Sequence, residues 1–319
     1  MTTATLIYNP NAGWLDLVTP NQIKAGLEQA GYDVFYTPTE KVEDLDNALA
    51  HLGEVVVVAG GDGTVRATAL RLLDRDVSLA ILPMGTANNI ARTLGLGGPI
   101  LPLVAGLADP RPYAFDVGYV EGPWGEDYFL EVCGMGFFAH AVAVFGPQED
   151  RSWPKAFWAV AEALLDYHSH QLKMTFDDRD ISGDYVIVNV FNTPFLGPNL
   201  ELLHEADPGD GDLDLLCIAE GDQADFVRSL TGLLTGGEDV PLDVEMKRGK
   251  KLEIVWDGFP IHVDSELRPR GMAWPVGKDP SRLSGKGEMI TIGVRPGALQ
   301  ILLPHGGQGL ERSAGLHAY

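Results

Sequence analysis

The chain has 319 residues, 45% of them apolar and 21% charged, a length better served by two hydrophobic cores than by one. Its net charge of −22 argues against nucleic acid as a partner, because binding a polyanion needs concentrated Lys and Arg. No apolar run approaches the roughly 18 residues of a membrane span, Met1 to Tyr8 lacks the basic start and apolar stretch of a signal peptide, and Cys133 and Cys217 have neither metal-ligand spacing nor the number for a disulfide framework; a cytosolic protein with two small buried thiols is expected.

The first third alternates strand and helix patterns. Thr5 to Tyr8 reads as a strand and Asn21 to Ala30 as a helix with Ile23, Leu27 and Ala30 on one face. The rhythm repeats as Val34 to Tyr36, Val42 to Leu52, Val55 to Ala59, Thr64 to Leu73, Leu79 to Leu82 and Ala87 to Leu94. Uninterrupted apolar runs such as Val55 to Ala59 suit a parallel sheet covered on both faces. An α/β layered, parallel-sheet domain over residues 1–115 is expected, with the chain returning to it at 296–305.

From about Asp116 extended segments alternate with Gly, Pro and Asp turns: Tyr128 to Cys133, Tyr185 to Phe191, Leu213 to Ile218, Leu252 to Val255 and Met289 to Val294. These predict a mostly antiparallel, sandwich-like β domain over 116–295. One helix, Pro154 to Tyr167, interrupts it with an apolar stripe at Phe157, Val160, Ala161, Leu164 and Leu165 that reads as core or as the wall of an apolar cleft. Arg268 to Gly287 reads as a long loop, Asp177 to Asp180 as a turn, and 306–319 as a flexible tail. His168 and His170 lack metal-ligand companions and read as exposed or capping residues. Residues 246–295 hold ten Lys and Arg against six Asp and Glu, a local balance of +4 that could meet an anionic lipid surface.

Three strand ends carry the chemistry. Asn9-Pro10-Asn11-Ala12-Gly13 follows the first strand, Gly60-Gly61-Asp62-Gly63-Thr64 the third, and Pro83-Met84-Gly85-Thr86-Ala87-Asn88-Asn89 the fourth. In an open parallel sheet the carboxyl ends of strands line one ligand crevice, so these loops should converge. Glycines let backbone N–H groups approach a ligand, and a following helix points its positive end at the same place; a phosphate fits there. Asp62 would repel a bare phosphate, and Mg²⁺ supplies the reason for a carboxylate in such a loop.

These motifs, in this order, resemble the diacylglycerol kinase catalytic-domain superfamily, the bacterial lipid kinases related to sphingosine kinases. The resemblance spans roughly residues 5 to 304. Asn9-Pro10 with Gly13, Gly60 to Thr64, and Pro83 with Gly85-Thr86 and Asn88 resemble its first three motifs. Asp264-Ser265-Glu266 stands where the family has Asp-Gly-Glu, and Pro296-Gly297-Ala298-Leu299 with Pro304 resembles its closing strand. Asp210-Gly211-Asp212-Leu213-Asp214 resembles a segment near which some members bind a structural Mg²⁺, which implies metal at Asp210, Asp212 and Leu213. Three departures stand out: Asn89 for Asp, Ala12 for Ser, and Ser265 for Gly.

The resemblance implies an ATP- and Mg²⁺-dependent kinase phosphorylating a lipid hydroxyl such as that of diacylglycerol. Asn9, Gly60, Gly61, Gly63, Thr64, Gly85, Thr86 and Asn88 would hold the nucleotide, and Asp62 would stand at the metal-phosphate junction. Asp264 or Glu266, from the second domain, would be the general base. Such an enzyme would be cytoplasmic, peripheral at the inner membrane face, and could form a homodimer. Phe137, Phe138 and Trp158 are candidate acyl-cleft residues. A non-catalytic nucleotide or lipid sensor, an NAD kinase, and a phosphofructokinase-type enzyme are the competing readings.

Overall fold

Continuous apolar runs make the central strands of the first unit, because a strand covered on both faces has no polar side to show. The computed structural model describes residues 1–12, 18–39, 41–50, 52–145, 161–197, 200–235, 246–271 and 287–305. The chain divides into two units, one of Met1–Asp116, Gly197–Asn199 and Pro296–Tyr319, the other of Val117–Leu196 and Leu200–Arg295.

In the first unit β1 (Thr2–Tyr8), β2 (Tyr32–Tyr36), β3 (Val55–Gly60) and β4 (Ser78–Pro83) lie parallel in the order β4-β3-β1-β2. Every residue of β3 is buried. The late strand β19 (Met289–Leu303) sets Gln300 and Ile301 parallel to β4, and Gly297 N–H donates to the buried Asp116 carboxylate at 2.6 Å where it enters this unit. Helix α1 (Pro20–Gln29) opens with a capping box, Thr19 and Gln22 exchanging side-chain and backbone bonds, behind a proline in its first turn. Its Ile23 and Leu27 enter the core beside Leu103 and Val104.

Helix α2 is confined to Asp44–Ala48, shorter than the expected Val42 to Leu52. Helices α3 (Asp62–Leu72) and α4 (Asn89–Thr93) follow the two glycine-bearing strand ends. Helix α5 (Ile100–Gly106) was not among the expected elements; its Pro99 and Pro102 both fall where a helix start tolerates proline.

The second unit is the expected antiparallel β domain. One sheet runs β15 (Met246–Gly249), β14 (Leu213–Ala219), β11 (Gly183–Phe191), β7 (Val132–Gly136), β17 (Ile261–Val263), β18 (Glu266–Arg268), with β8 (His170–Leu172) also on β11, and β12 (Phe195–Leu196) and β13 (Leu200–Glu201) form a short pair of their own. The other joins β10 (Arg179–Asp180), β9 (Met174–Phe176), β16 (Lys251–Val255) and Met289–Gly293 of β19, beside β5 (Arg111–Gly122) and β6 (Gly125–Phe129). Residues from both sheets, among them Phe129, Met135, Val190, Leu252 and Trp256, share one core.

The expected strand Tyr128 to Cys133 is two strands, broken at Leu130 and Glu131. Helices α6 (Phe137–Phe145) and α7 (Gln223–Thr235) were not expected. The first is apolar almost throughout and so lacks the polar face that marks a helix in sequence. Of the expected helix Pro154 to Tyr167, residues 161–165 are helical; Ala161 and Leu164 are buried in a core with Phe137, Phe191 and Phe226, while Leu165 is exposed. Phe157, Trp158, Val160, Gly13, residues 272–286 and residues 306–319 lie outside the described residues.

Candidate active site

The three strand-end loops of the first unit converge. Asn9 Nδ2 donates to Thr64 Oγ1 at 2.8 Å, tying the first loop to the second. Met84 N–H donates to the Gly60 carbonyl at 2.9 Å, tying the third to the second. Gly61 and Gly85 touch backbone to backbone: a Cβ on Gly61 would lie 3.0 Å from the Gly85 Cα. These glycines, together with Gly60 and Gly63, have no positive φ, so space rather than a left-handed backbone is what they supply. A Cβ on Gly63 would meet nothing within 4 Å.

Asn88 shapes the third loop. It sits in the left-handed region at φ 52°, which Asn tolerates better than most side chains. Its Oδ1 accepts from Gly85 N–H at 2.8 Å and its Nδ2 donates to the Gly85 carbonyl at 2.7 Å. Thr86 between them is exposed.

Asp62 opens α3 after Gly61, which contributes no side-chain cap. Its Oδ1 accepts the Ile90 N–H at 3.1 Å at the start of α4. Burial raises the carboxyl above its ordinary range, opposed by backbone N–H groups of Ile90, Asn89, Asn88 and Asp62 itself. A partly desolvated carboxylate beside an open helix N-terminus is the donor set that Mg²⁺ accepts when phosphate oxygens and water complete its shell, so these residues fit Mg²⁺ with a nucleotide.

Asn89, the departure from the family's Asp, is 4% exposed and donates from Nδ2 to the Gly197 carbonyl at 2.9 Å. A carboxylate has no proton to give that carbonyl. Asn is the residue this loop needs.

In the second unit the turn Asp264-Ser265-Glu266 joins β17 to β18. Asp264 is the position with positive φ, 52°, while Ser265 is not; serine in place of the family's glycine therefore strains nothing. The Asp264 carboxylate accepts three backbone N–H groups, from Leu130 at 3.2 Å, Glu131 at 2.9 Å and Val132 at 3.2 Å, which accounts for the break between β6 and β7. Glu266 accepts from Arg268 at 2.8 Å and Arg270 at 3.2 Å, and Arg268, almost fully buried, also pairs with Asp127. Ser265, Glu266, Arg268 and Arg270 line an open cavity of about 330 Å³ with Val142 and Leu267.

The acidic segment Asp210 to Asp214 holds cations of the chain's own. Arg248 reaches Asp214 at 3.1 Å, Asp210 at 3.6 Å and the Glu205 carbonyl at 2.9 Å, and Lys250 lies 4.0 Å from Asp212. Burial raises the Asp210 and Asp214 carboxyls, with Arg248 opposing it. A divalent ion held by Asp210, Asp212 and Leu213 would share these carboxylates with Arg248 and Lys250; among the described residues no group of three His, Cys, Asp or Glu stands together. Of the expected basic patch, Lys251 pairs with Glu253 at 3.2 Å, and Arg268 and Arg270 with Asp127 and Glu266, while Lys278, Arg282 and Lys286 lie outside the described residues.

His168 is exposed, as expected. His170 is not: its Nε2 lies 2.9 Å from Tyr167 Oη and its Nδ1 3.6 Å from Asp257. Phe137 belongs to the core and is 1% exposed, which removes it as a cleft residue, and Cys217 is only half-buried. Arg248, Arg268, Asp127, Asn189 and His262 carry structural bonds that the sequence reading passed over. The signal for His262 was a lone polar residue between Ile261 and Val263 in an apolar strand.

Residues 3–120 match the family model of the diacylglycerol kinase catalytic domain, and residues 151–303 that of the YegS C-terminal NAD kinase beta sandwich-like domain. A protein of Pseudomonas aeruginosa strain UCBPP-PA14 named "Probable lipid kinase YegS-like" is 30% identical over 272 residues, 82% of this chain and 80% of its own. The chain belongs to the family of diacylglycerol kinases and YegS-like lipid kinases. As a lipid kinase it is a phosphotransferase, and the strand-end loops are the part of it that the catalytic-domain model covers. The Bacillus subtilis diacylglycerol kinase is 26% identical over 251 residues, 74% of this chain and 80% of its own. The fold agrees with a crystal structure of a Bacillus anthracis str. Sterne diacylglycerol kinase, at TM-score 0.66, 19% identity, and coverage of 96% of this chain and 98% of that one. No helix among the described residues is long and apolar enough to cross a membrane.

Proposed function

We propose that this lipid kinase transfers the γ-phosphate of ATP to the hydroxyl of a lipid such as diacylglycerol, meeting its acceptor at a membrane surface. The observation that carries the reading is the convergence of the loops at Asn9, Gly60 to Thr64 and Gly85 to Asn88 on the N-terminus of α3. Helix α3, of 11 residues, turns its positive end toward an anion, and the open side of Gly63 lets phosphate oxygens reach the backbone. Asn9, Gly60, Gly61, Gly63, Thr64, Gly85, Thr86 and Asn88 form the nucleotide seat in this proposal.

Asp62 is the residue to hold Mg²⁺, which when bound would neutralise charge developing on the transferred phosphoryl group. Between the two candidate bases the roles divide. Asp264 spends its carboxylate on three N–H groups and keeps the turn in shape. Glu266 borders the cavity and is the group to take the proton of the attacking hydroxyl.

The test is phosphorylation of diacylglycerol in mixed micelles with radiolabelled ATP and Mg²⁺. Labelled lipid should form with the wild type and be lost in Asp62→Ala, with unfolding curves showing that the variant is folded. Glu266→Gln should lower turnover by about 100-fold or more, the scale of a lost general base. Formation of NADP from NAD would replace this reading by an NAD kinase. Nucleotide binding with no turnover on any acceptor would replace it by a sensor.

A further inference from the structure

His262, Gly134 and Asn189 lie in one transverse row of the second unit's larger sheet. His262 on β17 pairs with Gly134 on β7, and Gly134 pairs with Asn189 on β11. A Cβ on Gly134 would collide with the Asn189 amide. Because the middle strand has no side chain there, the imidazole reaches over it, and His262 Nε2 lies 3.0 Å from Asn189 Oδ1. His262 Nδ1 lies 3.1 Å from the backbone carbonyl of Asp264. Both side chains are buried, His262 at 2% exposure and Asn189 at 0%.

Donor and acceptor arithmetic fixes the protons. A carbonyl oxygen only accepts, so Nδ1 must carry hydrogen. With Asn189 Oδ1 facing Nε2, that nitrogen would need hydrogen too, making a buried imidazolium. Asn189 Nδ2 would meanwhile stay buried without a hydrogen-bond partner among the described residues. Turning the amide over removes both difficulties: Nδ2 donates to an unprotonated Nε2, and the remaining orphan is an oxygen, which interiors tolerate better than an orphaned N–H. Burial, which favours the neutral ring and holds its pKa down to about 4, agrees.

We infer that His262 is a positioning residue for the Asp264-Ser265-Glu266 turn, acting as a neutral Nδ1–H tautomer that donates to the Asp264 carbonyl while Asn189 Nδ2 anchors its Nε2. The turn is then clamped from two sides. Its carbonyl is held by the ring, and its Asp264 carboxylate holds the amides of Leu130, Glu131 and Val132. Asp264, kept at positive φ, hands a fixed direction to Ser265 and Glu266. The link to turnover rests on the lipid kinase reading above; the clamp itself does not.

Two substitutions separate the two ends of the ring. Asn places its amide nitrogen near the Nδ1 position, and Gln places its own near Nε2. His262→Asn should keep the Asp264 bond, and His262→Gln should lose it. In His262→Gln, amide exchange at Leu130, Glu131 and Val132 should speed up by about 10-fold or more, and kcat should fall by about 10-fold or more with the KM for ATP unchanged. His262→Asn should stay within about 3-fold of wild type on both. Nitrogen-15 spectra of the wild type should show Nδ1 protonated and Nε2 not. The reverse order of the variants, equal losses in both, or a protonated Nε2 would each overturn the assignment. Should the wild type phosphorylate no lipid, the kinase reading fails, and the exchange and nitrogen-15 measurements still decide the clamp. Should neither variant fold, the wild-type spectrum decides it.

Discussion

Gly61 and Gly85 approach so closely that neither has room for a side chain: a Cβ on Gly61 would stand 3.0 Å from the Gly85 Cα, and one on Gly85 would press into the Gly61 Cα and stand 2.9 Å from Asn88 Oδ1. The two loops can share one seat because both are bare at the contact. Gly85→Ala should destabilise the first unit by about 1–3 kcal/mol, the usual range for overpacking against atoms that cannot yield, and should weaken nucleotide binding. Gly63→Ala is the matched control. Its new methyl faces open space, so stability should hold or rise by a few tenths of a kcal/mol, while nucleotide affinity falls because the methyl occupies the approach. Denaturant unfolding beside titration with a fluorescent nucleotide separates the two effects.

Restoring the family's usual residue at position 89 should harm this chain. Asn89→Asp removes the N–H given to the Gly197 carbonyl and sets a carboxylate against that oxygen in a site 4% exposed. Losing a buried donor costs about 1–3 kcal/mol, more where a charge replaces it. Urea unfolding should show the loss, and lowering the pH toward the carboxyl range should recover part of it, since a protonated carboxyl can donate again.

Metal dependence should be split between the units. Without nucleotide, chelation by EDTA should leave the unfolding midpoint of the wild type unchanged, because Arg248 and Lys250 already supply cations to Asp210, Asp212 and Asp214. Arg248→Ala should destabilise the protein by up to about 1 kcal/mol, the scale of a partly exposed ion pair. Added Mg²⁺ should recover part of that loss in the variant only. A wild-type midpoint that falls on chelation would show that a divalent ion belongs there after all.

How much of this the sequence disclosed depended on whether a bond lay along the chain or across it. The loop convergence was legible because strand order and strand ends follow from apolar periodicity, and three such ends carried small residues in the same register of the sheet. The role of Asp264 was legible only as a motif. Its three N–H partners, Leu130 to Val132, stand more than 130 residues away, and the break they make between β6 and β7 looked in sequence like one extended run. Arg248 was hidden for the same reason: as composition it added to a basic patch, whereas strand pairing of Asp214 with Arg248 sets it beside acidic neighbours. Helix α6 escaped because an element apolar on nearly every side carries no amphipathic signature.

Acid sensitivity offers the sharpest check on the buried imidazole. His262 remains neutral in the folded protein down to about pH 4, whereas the unfolded chain takes up that proton near the ordinary histidine value of about 6.5. Burial is the main cause, and the Asp264 backbone bond and carboxylate, which favour the charged ring, offset only part of it. Between those two values the unfolded state holds more protons than the folded one, so stability rises with pH across the window. Acidification should therefore remove stability from about pH 6.5 downward, with the loss complete near pH 4 and worth up to about 3 kcal/mol. His262→Asn has no such proton to bind. Subtracting its urea-unfolding curve from that of the wild type cancels His140 and His170, whose values burial also lowers, and the difference should slope by about one proton between pH 4.5 and 6. Parallel curves would mean that the folded ring is already charged at both nitrogens, which would restore Asn189 Oδ1 to Nε2 and overturn the neutral Nδ1–H form assigned to His262.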